Sequence, residues 1–591
     1  MINYFKKNIS RKSIFISFSA SLCMAFLIAI LYGVDCFAAD FETEALKGIK
    51  SENIHSQSYD TWASPVNSYL FHNSDGSYNR VEYVNNTIIS ENYNADFQYK
   101  SQKKIKMELP VFGGIYCTDN AYYVVEGKNN SKAAAGKTEF RIIKYNKSWK
   151  KVKSTDIKDA NTTEPFEAGS CRFAENNGML YIRTCHQMYN GHQASVMMQV
   201  RMSDLAVVTA DVDVANSDYG YVSHSFNQFV RVKDGVVYAC DHGDAYERGV
   251  VVMRFDELAA GNEYFENEVK YYVPLAFKGD VGDNYTGATL GGFAVSETHT
   301  IAVGSSIPQT GKAKSINNIF VCTVETDRME KAGSKVRWIT NYSQSGKRTT
   351  TNPVLVEINE NRFLMMWEEY VSDQYDKTYY MFLDGNGNSI SNKKSFYAPL
   401  SDCQPIVSDD KVVWYVTDNS TPTFYSLPTD GSDLPLASKN TQFVRKGIKY
   451  KITKSSKTAG KVSVVGYDKA VMDENVELKD NVLYNGYSYK VTAIAPKAFA
   501  KCNKLKSILI PASVTSIGKQ SFNGCKKLKT LQVKYTKYKS KNIGSNAFKG
   551  VSSNIEIVIP DKKAAAYKTL FLKKGLKSTA RFRKESASWY Y

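Results

Sequence analysis

The 591-residue sequence lacks the cysteine spacings that small metal-binding and redox motifs require. Ten cysteines are present, but no two form a C-x-x-C pair, which argues against zinc ribbons and thioredoxin-like sites. After residue 39 there is no run of about 20 apolar residues, so we expect no membrane span in the mature chain. Motifs of nucleic-acid-binding domains are also missing.

The first 39 residues predict an export signal. A basic segment containing Lys6, Lys7, Arg11 and Lys12 precedes an apolar segment at 14–32, and small residues at 36–39 suit cleavage. An uncleaved N-terminal anchor is the alternative. Export makes a secreted or cell-surface location the expectation, and it excludes intracellular nucleic acid as a partner.

Acidic residues are scarce only in the last quarter of the chain. Residues 40–440 contain 40 basic and 50 acidic residues, a formal net charge of −10. Residues 441–591 contain 32 basic and 8 acidic residues, a net charge of +24. Such asymmetry favours a polyanionic partner for one end, for example a cell-wall polymer or an acidic glycan. The alternative is that the lysines only keep an exposed surface soluble.

A short pattern recurs three times within the basic region. Its phenylalanines, Phe499, Phe522 and Phe548, are 23 and 26 residues apart. The first two copies also share isoleucine, cysteine and leucine positions: Ile494, Cys502 and Leu505, then Ile517, Cys525 and Leu528. A period of about 20–29 residues with such positions is typical of a leucine-rich solenoid, whose repeats bury their apolar edges by stacking. A solenoid predicts a binding surface more than a catalytic pocket.

The pattern Ile-Gly-x-x-Ala-Phe-x-x-Cys-x-x-Leu-x-x-Ile-x-Ile-Pro resembles the BspA-like, or treponemal-type, leucine-rich repeats. Gly518 and Gly544 keep the glycine, whereas Ala495 replaces it in the first copy. The resemblance covers 443–583 and leaves a short tail at 584–591. It implies a secreted or surface protein of a bacterium, and it implies that Cys502 and Cys525 are buried as small hydrophobic residues.

Residues 40–427 predict a mostly β fold. Similar apolar-aromatic strands recur 50–64 residues apart, centred on Tyr123, Tyr181, Tyr238, Ala302, Leu364 and Trp414. This spacing fits the blades of a β-propeller, and 69–92 supplies a seventh blade. We therefore predict a propeller of about seven blades, a linker at 428–442 and the solenoid; tandem β-sandwiches plus a solenoid are the alternative. The region also resembles the propeller-like body of exported bacterial proteins that carry the same repeats.

Most of the histidines stand close to other polar residues in the third and fourth blades. The predicted ligand-binding set is His186, His192, His224, Asp241, His242, Asp244 and Arg248. Three other roles remain open: a metal site using three of the histidines, acid–base catalysis pairing His242 with Asp244 or Tyr246, and a structural hydrogen-bond network. No motif fixes any of these roles, so we assign no catalytic residue, metal or cofactor.

Four lysines of the repeat region are predicted to bind a polyanion: Lys526, Lys527, Lys529 and Lys534. The sequence as a whole favours a non-catalytic interaction protein that functions in adhesion or in ligand binding. Its expected partner is an extracellular glycan, a cell-wall polyanion or a host protein. The alternative is a carbohydrate-active enzyme, a lyase or glycosidase, whose repeats act as a targeting module.

Overall fold

The computed structural model describes residues 41–586 except for 46–50, 52, 54–64, 168, 212–221, 246, 257–268, 282, 284, 309–315, 419–420 and 471. The predicted export signal at 1–39 lies outside the described residues, as does Tyr246. The described residues belong to one compact unit.

Short apolar strands separated by tight turns give the chain a mostly β fold, which confirms the predicted class. All seven residues of the strand Ala121–Gly127 are buried, because both faces of its sheet are covered. Asp-Gly pairs form the turns at Gly76 and Gly235, whose φ angles of +79° and +76° favour glycine. The described residues include a single α-helix.

The short strand β1 (Glu42–Glu44) comes first, and three consecutive antiparallel sheets follow it. The first sheet contains β2 (Ser68–His72), β3 (Tyr78–Val84), β4 (Thr87–Tyr93) and β5 (Tyr99–Lys106). The second contains β6 (Val111–Cys117), β7 (Ala121–Gly127), β8 (Thr138–Asn146) and β9 (Lys151–Lys158). The third contains β10 (Thr162–Pro165), β11 (Arg172–Asn176), β12 (Met179–Met188), β13 (Gln193–Arg201) and β14 (Val207–Asp211).

Four further antiparallel sheets continue the series. The fourth contains β15 (Ser225–Lys233), β16 (Val236–Gly243), β17 (Gly249–Phe255) and β18 (Lys270–Ala276). The fifth contains β19 (Thr289–Val295), β20 (His299–Ser306), β21 (Asn318–Glu325) and β22 (Ser334–Trp338). The sixth contains β23 (Arg348–Asn359), β24 (Arg362–Val371), β25 (Gln374–Leu383) and β26 (Lys394–Phe396). The seventh contains β27 (Ile406–Ser408), β28 (Lys411–Asp418) and β29 (Thr421–Pro428).

The N-terminal strand completes the seventh sheet. β1 pairs antiparallel with β29, with Glu42 opposite Tyr425. Phe41 is buried beside it, and its ring centroid lies 5.0 Å from that of Phe396 and 6.1 Å from that of Trp414. The first and last strands of residues 41–428 are thus held in one sheet.

Each sheet packs against the next through a separate hydrophobic cluster, and the seventh packs against the first. The cluster between the seventh and first sheets, for example, contains Tyr415 from β28 and Leu70 from β2. The seven sheets therefore form a closed series.

The C-terminal region consists of two further sheets. One has the strand order β30-β31-β32-β35-β34, with β37 paired to β35, and the other is a parallel sheet with the order β33-β36-β38-β39-β40. The strands are β30 (Gln442–Arg445), β31 (Ile448–Lys454), β32 (Gly460–Tyr467), β33 (Asn475–Glu477), β34 (Asn481–Tyr484), β35 (Tyr487–Ile494), β36 (Ser507–Ile510), β37 (Ser516–Ile517), β38 (Thr530–Val533), β39 (Glu556–Ile559) and β40 (Arg581–Lys584).

Helices are few and short in the described residues. The α-helix α1 (Ala564–Lys573) buries Tyr567 and Phe571 against the C-terminal core. Single 3-10 turns occur at Lys331–Gly333, Gln344–Gly346, Ser540–Asn542 and Asp561–Lys563. Within the described ranges, no helix has both the length and the apolar character that a membrane crossing requires.

The repeated phenylalanines form a stack inside the C-terminal region. Phe522 lies between Phe499 and Phe548, at centroid distances of 5.3 Å and 5.9 Å, with nearly parallel rings. Cys502 and Cys525 are buried free thiols, as the repeat pattern implied. Free thiols are found at all eight cysteines of the described residues, including Cys171 and Cys185.

The repeat glycines allow neighbouring backbones to approach each other. A Cβ atom on Gly518 would lie 2.4 Å from the backbone nitrogen of Pro496, and one on Gly544 would lie 2.2 Å from that of Lys519. No other residue fits without moving the preceding repeat. This close approach explains why the pattern keeps glycine after isoleucine.

The predicted linker at 428–442 is docked against both regions. Leu434 is buried in the cluster that contains Phe41, and its carbonyl oxygen accepts a hydrogen bond of 2.8 Å from the Tyr487 hydroxyl. Asp433 pairs with Lys394 on one side and Lys457 on the other, each at 3.0 Å. These contacts join the C-terminal region to the sixth and seventh sheets.

Candidate functional site

Two of the predicted site histidines lie within strands. His186 belongs to β12 and His242 to β16, and both side chains are buried. His186 Nδ1 lies 2.6 Å from Thr162 Oγ1, and His242 Nε2 lies 2.9 Å from Thr286 Oγ1. Each imidazole therefore has a hydroxyl partner on a neighbouring segment.

Burial keeps these two imidazoles neutral. Loss of solvent lowers the pKa of His186 to about 4. The same effect, with a smaller contribution from the Arg248 charge, lowers the pKa of His242 to about 3. With pKa values this low, neither side chain is in the imidazolium form at neutral pH, so neither is suited to general acid catalysis there.

Four polar residues come together at the junction of the third and fourth sheets, and we name His192, Ser223, His224 and Asp244 the His192–His224 cluster. The two imidazole centroids are 5.2 Å apart. His192 Nε2 lies 2.9 Å from Ser223 Oγ, and His224 Nδ1 lies 3.2 Å from Asp244 Oδ1. The cluster thus runs from a hydroxyl through two imidazoles to a buried carboxylate.

Backbone contacts between neighbouring sheets build this cluster. Ser223 forms an isolated bridge with Ala194, and the His224 amide donates a 2.9 Å hydrogen bond to the Gln193 carbonyl. His224 has a φ of +49°, a strained conformation for a residue with a side chain. Such strain, held by the surrounding structure, is frequent at functional sites.

The two histidines of the cluster have opposite pKa shifts. The Asp244 carboxylate raises the pKa of His224 above its usual value, against the opposing effect of partial burial. Partial burial, followed by the His224 charge, lowers the pKa of His192. His224 therefore holds its proton more strongly than His192 does, and the His224 side chain is 30% exposed to solvent.

The remaining predicted residues serve other contacts. Asp241 is buried and accepts hydrogen bonds from Arg183 Nη2 at 2.7 Å and Ser225 Oγ at 2.9 Å. The acceptors of the Arg248 hydrogen bonds are backbone carbonyls, including those of Asp244 at 2.7 Å and Lys278 at 2.8 Å. The seven predicted residues therefore divide among separate environments, and only His192, His224 and Asp244 share one site.

Sequence reasoning missed Ser223 as a partner of His192. No motif around Ser223 could have indicated this role, because its contact depends on how the segment after the third sheet pairs with β13. Among the described residues, no group of three histidine, cysteine or acidic side chains is arranged to hold a metal ion.

A small cavity lies between strands of different sheets. Its volume is about 40 Å³, and residues in or just before β2, β11, β15, β19, β23 and β27 line it. Its lining includes Val66, Arg172, Asn227, Leu290, Pro353 and Asp402. Six of the seven sheets therefore contribute to one cavity.

The four predicted polyanion-binding lysines are all exposed, but they do not form one patch. Lys529 directly precedes β38, and Lys534 directly follows it. At about 3.3 Å per strand residue, their backbones are roughly 16 Å apart. Lys526 and Lys527 lie on the same side of β38 as Lys529, whose amide donates a 2.8 Å hydrogen bond to the carbonyl of Lys506 in the preceding repeat. The basic surface thus has two parts, one at each end of the strands of the parallel sheet.

Comparison with protein families now identifies the C-terminal region. Residues 487–584 match the BspA type leucine rich repeat region, with six copies. This region is a BspA-type repeat region. The predicted family is confirmed, although the matched segment begins later than residue 443, where the sequence pattern placed its start.

Several solved structures match parts of this chain. A leucine-rich repeat protein from Bacteroides capillosus is 19% identical, with a TM-score of 0.18, and the match covers 24% of this chain and 98% of that one. A leucine rich cell surface protein from Faecalibacterium prausnitzii is 18% identical, with a TM-score of 0.16; the match covers 21% of this chain but only 38% of that one.

A further solved structure matches a larger share of the chain. The alpha-L-arabinanase of Penicillium chrysogenum is 10% identical, with a TM-score of 0.31, and the match covers 66% of this chain and 99% of that one. Among curated proteins, none matches the chain.

Proposed function

We propose that this chain is an exported bacterial interaction protein, secreted or held at the cell surface, without catalytic activity. In this proposal residues 40–427 form a seven-bladed β-propeller, and residues 443–583 form a basic solenoid that contains the BspA-type repeats. The predicted export signal at 1–39 and the family of the repeats support the extracellular location.

The propeller is supported by the closed series of seven sheets. Each sheet has its own hydrophobic cluster with the next, and β1 completes the last sheet by pairing with β29. Closure of a sheet series by its terminal strands protects sheet edges, as propellers require. Tandem sandwiches would give two independent cores, whereas the 40 Å³ cavity is lined from six sheets.

Binding of an extracellular polyanion is the function that the repeat region supports best. The observation that carries it is the net charge of +24 on residues 441–591, beside a body of −10. Exposed lysines at both ends of β38 provide the contacts. Neutralising phosphate, sulfate or carboxylate groups releases counterions, which makes this binding strong at low salt and weak at high salt.

The test uses the full mature chain on immobilised heparin and on purified anionic wall polymer. Replacing Lys526, Lys527, Lys529 and Lys534 with glutamine should move elution to clearly lower salt, because four charge contacts are lost. A matched control replaces four exposed lysines of the body with glutamine: Lys100, Lys104, Lys106 and Lys153. The control has the same net charge but should elute like the wild type. Equal shifts in the two variants would contradict a binding role for the repeat lysines.

A carbohydrate-active enzyme is the second candidate, and the His192–His224 cluster is the observation that favours it. A partly exposed imidazole paired with a buried carboxylate can transfer a proton at a glycosidic bond. The discriminating assay measures release of reducing ends or unsaturated products from acidic and neutral polysaccharides. Turnover that is lost in Asp244→Asn would favour the enzyme over the non-catalytic proposal.

A further inference from the structure

The ammonium group of Lys393 is surrounded by aromatic rings. Its Nζ lies 4.2 Å from the ring centroid of Tyr379, 5.6 Å from that of Tyr342 and 5.9 Å from that of Trp367. These rings come from β25, from the segment between β22 and β23, and from β24. Attraction between a cation and the ring faces is strongest where water is excluded, and Trp367 is fully buried.

A buried carboxylate completes the enclosure. Lys393 Nζ donates to Glu369 Oε1 at 3.1 Å and to the Tyr342 hydroxyl at 2.9 Å. Glu369 also accepts hydrogen bonds from Trp367 Nε1 at 3.0 Å and from Arg348 Nη1 at 2.7 Å. We name Tyr342, Trp367, Glu369 and Tyr379 the ammonium cage.

The charges around the cage balance only when one further cation is present. Glu369 and Asp376 carry two negative charges, and Arg348, which pairs with both at 2.7 Å, carries one positive charge. Lys393 supplies the second positive charge. Without it, the cage and its immediate partners would have a formal charge of −1, which matches a single monovalent cation.

Lys393 reaches the cage from an exposed position. It lies between β25 and β26, next to Lys394, and 36% of its side chain is exposed. Its long flexible stem can leave the cage without disturbing a strand, because the residue belongs to no regular element.

We propose that the ammonium cage is a binding site for a primary alkylammonium group of lysine size, and that Lys393 occupies it until such a ligand replaces it. A primary ammonium is preferred to a quaternary one because Glu369 and the Tyr342 hydroxyl both accept N–H donors. The site is independent of the repeat lysines, so this inference goes beyond the proposed polyanion binding.

The experiment titrates n-butylammonium into the full mature chain by isothermal calorimetry. Lys393→Ala should bind it at least tenfold more tightly than the wild type, because a tethered lysine competes at millimolar effective concentration. Lys394→Ala is the matched control, since that lysine contacts Asp433 and the Gly431 carbonyl and should bind like the wild type. Butanol, which has the same shape without the charge, should not bind.

A second measurement needs no variant. In the wild type, saturating n-butylammonium should move the NMR resonance of the Lys393 side chain towards that of a solvent-exposed lysine. Equal affinities of folded Lys393→Ala and Lys394→Ala would overturn the proposal. So would a Lys393 resonance that does not respond, or tetramethylammonium binding as tight as that of n-butylammonium.

Discussion

At the scale of single residues, the contributions of His242 and His224 to stability depend on pH in opposite ways. Burial disfavours the charged form of His242, so its contribution to stability falls as pH drops below the ordinary histidine value. The carboxylate of Asp244 favours the charged form of His224. That stabilisation is complete below about pH 6.5, the pKa of an unfolded histidine, and is lost as pH rises through the higher folded pKa.

Replacing Asp244 with asparagine tests this pair. We expect the pKa of His224 to fall, because the partner charge is lost while the partial burial remains. The free energy of unfolding should decrease more at pH 5.5 than at pH 8. NMR titration of the histidine resonances and urea denaturation at the two pH values measure both effects.

The control for this change is Asp234→Asn in the same sheet, where the carboxylate is 81% exposed. It should leave the His224 titration unchanged. An unshifted His224 pKa in Asp244→Asn would show that the carboxylate does not govern this histidine.

The sequence indicated which polar residues were candidates for a site, but it did not indicate which of them lie close together. His186 and His242 follow their strand centres at similar distances, yet both face the interior. His192 and His224 converge because the segment at Ser223 bridges to Ala194. A contact between sheets of this kind has no local sequence pattern, so only the candidate set was predictable.

At the scale of elements, one stack of rings holds successive repeats in register. Phe522 is fully buried between Phe499 and Phe548. The same repeats place backbone against backbone at Gly518 and Gly544, so a displaced ring cannot be compensated by a small shift of one turn. A packing defect in one repeat is therefore expected to disturb the neighbouring repeats.

Phe522→Ala should destabilise the repeat region by about 3–5 kcal/mol, since it removes a large buried ring and leaves a cavity. Urea denaturation followed by near-ultraviolet circular dichroism measures the loss. Phe582→Ala, at a half-buried position of β40, is the control and should cost clearly less. Similar losses in both variants would mean that the ring stack does not hold the repeats together.

The elements themselves were largely predictable. The recurring apolar-aromatic segments and the phenylalanine period indicated the strands and the repeats, because each is visible in the sequence alone. The bulges in β15, β19 and β23, whose residues line the cavity, were not predictable. Their positions depend on how β15, β19 and β23 pack around the cavity, which is a contact between distant parts of the chain.

At the scale of the whole molecule, the junction near Leu434 joins the repeat region to the body. Leu434 packs in the same cluster as Phe41, and Arg445 pairs with Glu42 at 2.9 Å. The polar, proline-containing sequence of 428–442 predicted a linker, and its docking depends on partners far away in the chain. Local composition could not indicate those partners.

Leu434→Ala should make this junction more sensitive to trypsin, because the segment loses its buried anchor while exposed Lys439 stays available for cleavage. Limited proteolysis followed by mass spectrometry measures the rate of cut at Lys439. Leu436→Ala, only two residues away and half-buried, should change the rate less. Identical cleavage rates in the wild type and Leu434→Ala would rule out this anchoring role.

The pairing of β1 with β29 also sets the order in which the body can fold. Glu42 pairs with Tyr425, which is 383 positions later in the chain, so β1 cannot pair until nearly all of the body has been synthesised. Contacts between such distant residues form slowly, because the intervening chain must first become ordered. We therefore expect the pairing of β1 with β29 to be a late step in the folding of the body, and deletion of either strand removes part of the seventh sheet.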